Sequence, residues 1–183
     1  MRFIVGITGA SGAIYGLRLL EVMKKSGADV TIIVSKTGLE ILKMETGIGK
    51  EGLAHYGRLL DNKDLMAPLA SGSNAFDAMV VAPCSMKTLA CIANGLASTL
   101  MVRAAEVALK ERRRLVVVTR EPPLSLIDIK NMEKLTLAGG VVLPACPGFY
   151  HSPKAVEDLV DHVVGKVLDQ IGVKHSLFRR WGE

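Results

Sequence analysis

Five short apolar runs leave this chain few architectures: Phe3–Ile7, Val30–Val34, Ala78–Ala82, Leu115–Thr119 and Val141–Leu143. They are nearly continuous rather than alternating, which is the pattern of parallel strands buried on both faces. Helical patterns lie between most of them, over 13–25, 36–44, 86–94, 98–112 (after Gly95) and 125–138. Strands alternating with helices predict an α/β fold, a doubly wound parallel sheet covered on both faces as a three-layer sandwich. A last helix is expected after Ser152 as cap and Pro153 in the first turn. Its apolar stripe runs through Val156, Leu159, Val160, Val163, Val164, Val167, Leu168 and Ile171. The segments 47–64 and 172–183 take no assignment. No repeat, low-complexity tract or linker divides the chain, so residues 1–183 read as one domain.

Composition narrows the partners. Hydrophobic residues make up 49% of the chain but aromatics only 4%. Without an apolar run of 18 residues there is no candidate membrane span, so the excess points to a large core and to homo-oligomer contacts. The apolar start breaks at Thr8-Gly9-Ala10-Ser11-Gly12, unlike a signal peptide. Three cysteines (Cys84, Cys91, Cys146) without bridge spacing fit a reducing cytoplasm. The net charge of +5 is spread out, and the clusters Arg112–Arg114 and Arg179-Arg180 lack interleaved aromatics, which argues against nucleic acid. The first cluster reads as a helix end with favourable dipole pairing.

The strongest local signal is Gly6-Ile7-Thr8-Gly9-Ala10-Ser11-Gly12, between the first strand and the first helix. Backbone N–H groups of such a turn suit a phosphate, and glycine lets the backbone approach it. The spacing is not G-x-G-x-x-G, and Ser35-Lys36 stands where a ribose-binding acid would follow the second strand, so NAD is disfavoured. A second turn, Pro83-Cys84-Ser85-Met86-Lys87-Thr88, would share the same carboxyl edge, with Ser35 and Arg120 after two further strands. Together these residues favour a phosphate-bearing planar cofactor.

Other chemistries lack their residues. His55, His151, His162 and His175 show no zinc spacing with the cysteines, and no G-x-S-x-G elbow is present. Asp158 and Asp161 fall opposite the apolar stripe, as a solvated face would, whereas Lys166 flanks the stripe within reach of a ligand or a neighbouring subunit.

The chain closely resembles the flavin prenyltransferases of the UbiX type. The resemblance rests on GITGASGAIYGLRLL from Gly6, Leu69-Ala-Ser-Gly-Ser73, Pro83-Cys-Ser-Met-Lys-Thr88 and the stretch Arg103 to Arg112. It continues through Arg120-Glu-Pro-Pro123, Pro147-Gly-Phe-Tyr150-His151 and Arg180-Trp181-Gly182. The resemblance implies a flavodoxin-like fold, a dodecamer with sites at subunit junctions, and metal-free transfer of a dimethylallyl group from dimethylallyl phosphate to N5 and C6 of reduced FMN. It also implies delivery of the prenylated flavin to a UbiD-type decarboxylase. By the same resemblance Gly9, Ala10, Ser11, Ser35, Ser85, Met86, Lys87, Thr88 and Arg120 hold FMN, and Tyr150, Lys166, Arg103 and Lys110 hold the prenyl phosphate. Ser11 and Glu45 manage protons near N5, and Trp181 covers the dimethylallyl group. Lys166 departs from the arginine usual in the family, replacing a bidentate clamp by a point charge. The rival classes are a cysteine decarboxylase of the same fold, a non-catalytic flavin carrier and an NADP reductase. Leu69-Ala-Ser-Gly-Ser73, standing where the cysteine decarboxylases carry a PASANT-like stretch, disfavours the first.

Overall fold

The computed structural model describes residues 1–182. The five apolar runs form β1 (Arg2–Ile7), β2 (Asp29–Val34), β4 (Ala78–Cys84), β5 (Arg114–Thr119) and β6 (Val141–Pro144). A further strand, β3 (Arg58–Asp61), comes from the unassigned segment. All neighbours pair in parallel, in the order β3-β2-β1-β4-β5-β6. Without β3, the other five run in the 2-1-3-4-5 order of flavodoxin-like sheets, so the expected fold stands with one added edge strand.

Alternate strand residues face two cores. Phe3, Val5 and Ile7 of β1, with Val80 and Val116, pack against α1 (Ala13–Lys25), α2 (Lys36–Thr46), α3 (Lys50–Ala54) and α7 (Val156–Gln170). Ile4, Met79 and Val117 pack against α4 (Met86–Ala93), α5 (Leu100–Lys110) and α6 (Leu126–Leu137). Leu19, Leu20 and Met23 of α1 are wholly buried, each contributing about 1.5–3 kcal/mol. Gly16 lets α1 lie on the sheet, since a Cβ there would stand 2.2 Å from the Ala82 carbonyl oxygen.

Three expectations on polar residues are corrected. Ser152 does not cap α7: it has φ 55°, and the helix starts after Ala155, whose N–H donates to Asp158 at 3.1 Å. Asp161 is not on a solvated face, because it receives Nε (2.6 Å) and Nη2 (3.0 Å) of Arg18 and so ties α7 to α1. Within the arginine cluster, the Arg113 backbone N–H does close the end of α5 on the Ala108 carbonyl at 2.8 Å, but its side chain turns away from the helix end. It donates to the Gly72 and Asn74 carbonyls at 2.7 and 2.9 Å, and its guanidinium lies 4.6 Å from the Phe76 ring centre. Among the described residues no helix is long and apolar enough to cross a membrane.

Candidate active site

At the carboxyl edge the sheet switches direction between β1 and β4, the place where open α/β sheets bind ligands. The loops on either side meet at one buried residue, whose backbone N–H donates to the Pro83 carbonyl at 3.2 Å. Thr8, 1% exposed, donates its hydroxyl to the Pro83 carbonyl at 2.8 Å and accepts the Ser85 N–H at 2.7 Å. Ser85 in turn caps α4, its Oγ accepting from the Thr88 N–H at 3.3 Å. Ser35 caps α2 through the Gly38 N–H, and Thr99 caps α5 through the Val102 N–H.

These three helix starts open into one cavity of about 440 Å³. Gly9, Ser35, Ser85, Lys87 and Thr88 line it as expected, together with Lys36, Thr37, Asn62, Ser98, Thr99 and Met101. Its size is that of a cofactor site. Hydroxyls, two lysines and three helix N-termini favour a phosphate-bearing ligand. Gly9 forms a close-packed wall, since a Cβ there would stand 2.7 Å from Thr37 Cγ2. These residues therefore fit FMN.

Sequence reasoning missed Asn62 and Thr8 as site residues. Asn62 fixes the start of α5, its carbonyl accepting from Leu100 N–H at 2.9 Å and its Oδ1 from Met101 N–H at 3.0 Å. The turn-forming run Asp61-Asn62-Lys63-Asp64 after two leucines was the available signal.

Other expected residues fall outside this cavity. Ala10 and Met86 turn into the core, and Ser11 is exposed, its carbonyl accepting from Arg120 Nε at 3.1 Å. Glu45 accepts from Gly12 N–H at 3.0 Å and Ala13 N–H at 2.8 Å. A carboxylate of α2 thus occupies the N–H groups at the start of α1, while Gly9 of the same turn faces the cavity. Arg103, beside the cavity-lining Val102, donates instead to the Ala70 carbonyl at 3.0 Å and to Glu106 at 3.2 Å. Lys110 pairs with Glu111 at the far end of α5, roughly 15 Å along the helix from Leu100. Burial pushes the Cys84 thiol up to about 12, which removes it as a nucleophile at neutral pH.

Tyr150 and Trp181 come together at a second cavity of about 310 Å³ with Arg179, Arg180 and Gly182. Their rings meet edge to face, centres 5.3 Å apart. Behind them His162 accepts the Gly148 N–H at Nδ1 (3.1 Å), so its neutral ring carries the proton on Nε2, 3.4 Å from the Tyr150 hydroxyl. Donation from His162 leaves the Tyr150 O–H to point elsewhere as a donor. Burial first, then the stacked His151 and Lys166, hold His162 below the usual histidine range. The unfolded chain then binds the proton more readily, so this contribution to stability is complete above about pH 6.5 and is lost as pH falls toward the lowered value. Melting temperature should decline from pH 7.5 to 5.5, and His162→Gln should flatten that decline; parallel profiles for the two proteins would contradict it.

Lys166 is half-exposed with Nζ 3.9 Å from Asp169. Among the described residues no group of three His, Cys, Asp or Glu is placed to hold a metal ion.

Comparison with known proteins agrees with this geometry. Residues 1–168 match the Flavoprotein family. The flavin prenyltransferase UbiX of Methanocaldococcus jannaschii is 50% identical over 183 residues, covering 100% of this chain and 99% of that one. A solved UbiX in complex with FMN and dimethylallyl pyrophosphate is 40% identical with a TM-score of 0.97, covering 100% of this chain and 97% of the other. A dodecameric FMN-dependent UbiX-like decarboxylase of Escherichia coli O157:H7 is 42% identical, also with a TM-score of 0.97, each chain covered completely. The peptidyl-cysteine decarboxylase EpiD, at 18% identity and a TM-score of 0.67, shares the fold alone.

Proposed function

The chain belongs to the flavin prenyltransferases of the UbiX type, within the Flavoprotein family, and we propose that it transfers a dimethylallyl group to N5 and C6 of reduced FMN. The observation that carries this reading is the similarity over the whole chain to a UbiX solved with both FMN and dimethylallyl pyrophosphate, joined to a sheet-edge cavity that fits FMN. Reduced FMN supplies the nucleophilic ring; this chain's residues bind, orient and neutralise.

Ser35, Lys87 and Thr88, with Gly9 and Ser85, would hold the flavin phosphate at the helix starts, and Ser11 and Arg120, bonded to each other, would bind the rest of the flavin. Ser11, on the turn from β1 to α1, and Glu45, whose carboxylate reaches that turn from α2, manage protons there. Tyr150 and Lys166 receive the prenyl phosphate. Loss of that phosphate places negative charge on oxygen, which lysine and a phenol O–H stabilise as donors. It leaves positive character on the allylic carbon, which the faces of Tyr150 and Trp181 stabilise. Arg103 and Lys110 lie away from Tyr150 in the chain's own contacts, so their part belongs to sites shared between subunits. A homo-oligomer, as in the dodecameric Escherichia coli relative, supplies such junctions. It would also cover exposed Leu126, Ile127 and Leu137. Three free cysteines support a reducing, cytoplasmic setting, and in this reading the product goes to a UbiD-type decarboxylase.

Lys166 offers a single ammonium where arginine would offer a fork. Lys166→Arg should therefore lower the donor KM by about tenfold, the worth of one additional charge-assisted hydrogen bond. An unchanged KM would remove Lys166 from the phosphate site. Delivery is tested by adding the reaction mixture to an apo-decarboxylase of the UbiD type: activity should appear only when reduced FMN, the donor and this protein are all present. A decarboxylase that becomes active without this protein would contradict delivery.

A further inference from the structure

We propose that Asp169 is a positioning residue for prenyl transfer: its carboxylate clasps the C-terminal segment against α7 and so sets Trp181 against Tyr150. This rests on the reading of Trp181 and Lys166 given above. After α7 the chain turns back along the helix it has just left. Contact is close at Gly165, where a Cβ would stand 2.4 Å from Phe178 Cε1 and 2.6 Å from His175 Cε1. One turn further on, Asp169 gathers the segment. Its Oδ1 accepts from Arg180 Nη2 at 2.8 Å and from His175 Nε2 at 3.2 Å, and its Oδ2 from Arg180 Nη1 at 3.3 Å.

An exposed ion pair alone would fix little. This one has a two-pronged geometry and a third donor, His175, whose side chain is only 2% exposed. The histidine is itself set: its Nδ1 accepts the Leu177 N–H at 3.2 Å, which directs the Nε2 proton of the neutral ring to Asp169. The Arg180 hydrogen bond first, with that charge and His175 adding to it, keeps the Asp169 carboxyl below the usual range and ionised.

Trp181 follows Arg180 directly and is 80% exposed. Within the single chain it therefore owes its place beside Tyr150 to the clasp and to the edge contact of the two rings rather than to burial of its own ring. The same Oδ2 lies 3.9 Å from Lys166 Nζ. One carboxylate thus holds both the aromatic cover and the phosphate-binding cation in register, which separates its role from that of a general surface acid.

Trp181 is the chain's single tryptophan, so its fluorescence reports the segment without labelling. In the intact FMN-loaded oligomer, Asp169→Asn should raise the acrylamide quenching constant of Trp181 at least twofold. It should slow single-turnover prenylation by about tenfold and leave FMN affinity unchanged, while Asp169→Glu recovers part of both losses. Gly165→Ala, which keeps the helix but unseats Phe178, should raise quenching in the same direction if the asparagine variant is poorly folded. Unaltered quenching in both variants would overturn the clasp, whatever the wild type does with flavin. Raised quenching with an unaltered prenylation rate would overturn its part in the reaction. A wild type that binds FMN but forms no prenylated product would count against the proposed function, while quenching still decides the clasp.

Discussion

Trp181→Ala is expected to slow single-turnover prenylation by about 30-fold while FMN binds as before. Two-kilocalorie stabilisation of a desolvated cation by an aromatic face corresponds to about that factor. The ring is 80% exposed in the isolated chain and meets Tyr150 at its edge, so its removal opens no core cavity. It also lies in a different cavity from the hydroxyls and lysines at the helix starts, which is why flavin affinity should hold. Trp181→Phe, which keeps an aromatic face, should recover most of the rate. A single-turnover rate for the alanine variant within twofold of wild type would remove Trp181 from the chemistry.

The largest effect on stability is expected at Thr8. Valine matches the shape of threonine, but Thr8→Val strips one bond from the Pro83 carbonyl and one from the Ser85 N–H. The Pro83 carbonyl keeps the backbone N–H of residue 8, 3.2 Å away, so the Ser85 N–H alone is left unsatisfied, and a net loss of about 2 kcal/mol should follow. For a chain of this length that lowers the melting temperature by about 4–8 °C. FMN affinity should fall with it, because the Ser85 that Thr8 holds both caps α4 and lines the flavin cavity. Thr8→Ser keeps both bonds and should stay near wild type on both measures. A valine variant melting within about 2 °C of wild type would show that the threonine hydroxyl adds nothing to the backbone bond between the two loops.

The legible parts of this fold were those written in local pattern. β1, β4 and β5 are buried along nearly their whole length, so their continuous apolar runs stand out of the sequence. β3 did not: Arg58-Leu-Leu-Asp is exposed at both ends and pairs only with β2, and an edge strand of four residues has no run to display. The start of α7 was misplaced for a similar reason. Ser-Pro is a good local signal, but the carboxylate of Asp158, lying within the helix, does the capping.

The same division holds for the site. Ser35 and Ser85 precede helical patterns and sit at strand ends, so their capping and their place at the cavity could be read together. Glu45 reaches the N–H groups of Gly12 and Ala13 from more than thirty residues away, and Asp161 finds Arg18 across two helices. No spacing in the chain announces either contact. The prenyl donor was legible through family resemblance alone, because a cavity suited to a phosphate does not name the group that leaves with one.

The most direct test of the account is anaerobic incubation of the protein with reduced FMN and dimethylallyl phosphate, followed by mass spectrometry of the released flavin. A mass gain of one dimethylallyl unit is expected. Unmodified flavin, recovered from protein shown to have bound FMN, would contradict it and leave a flavin-binding fold whose reaction lies elsewhere.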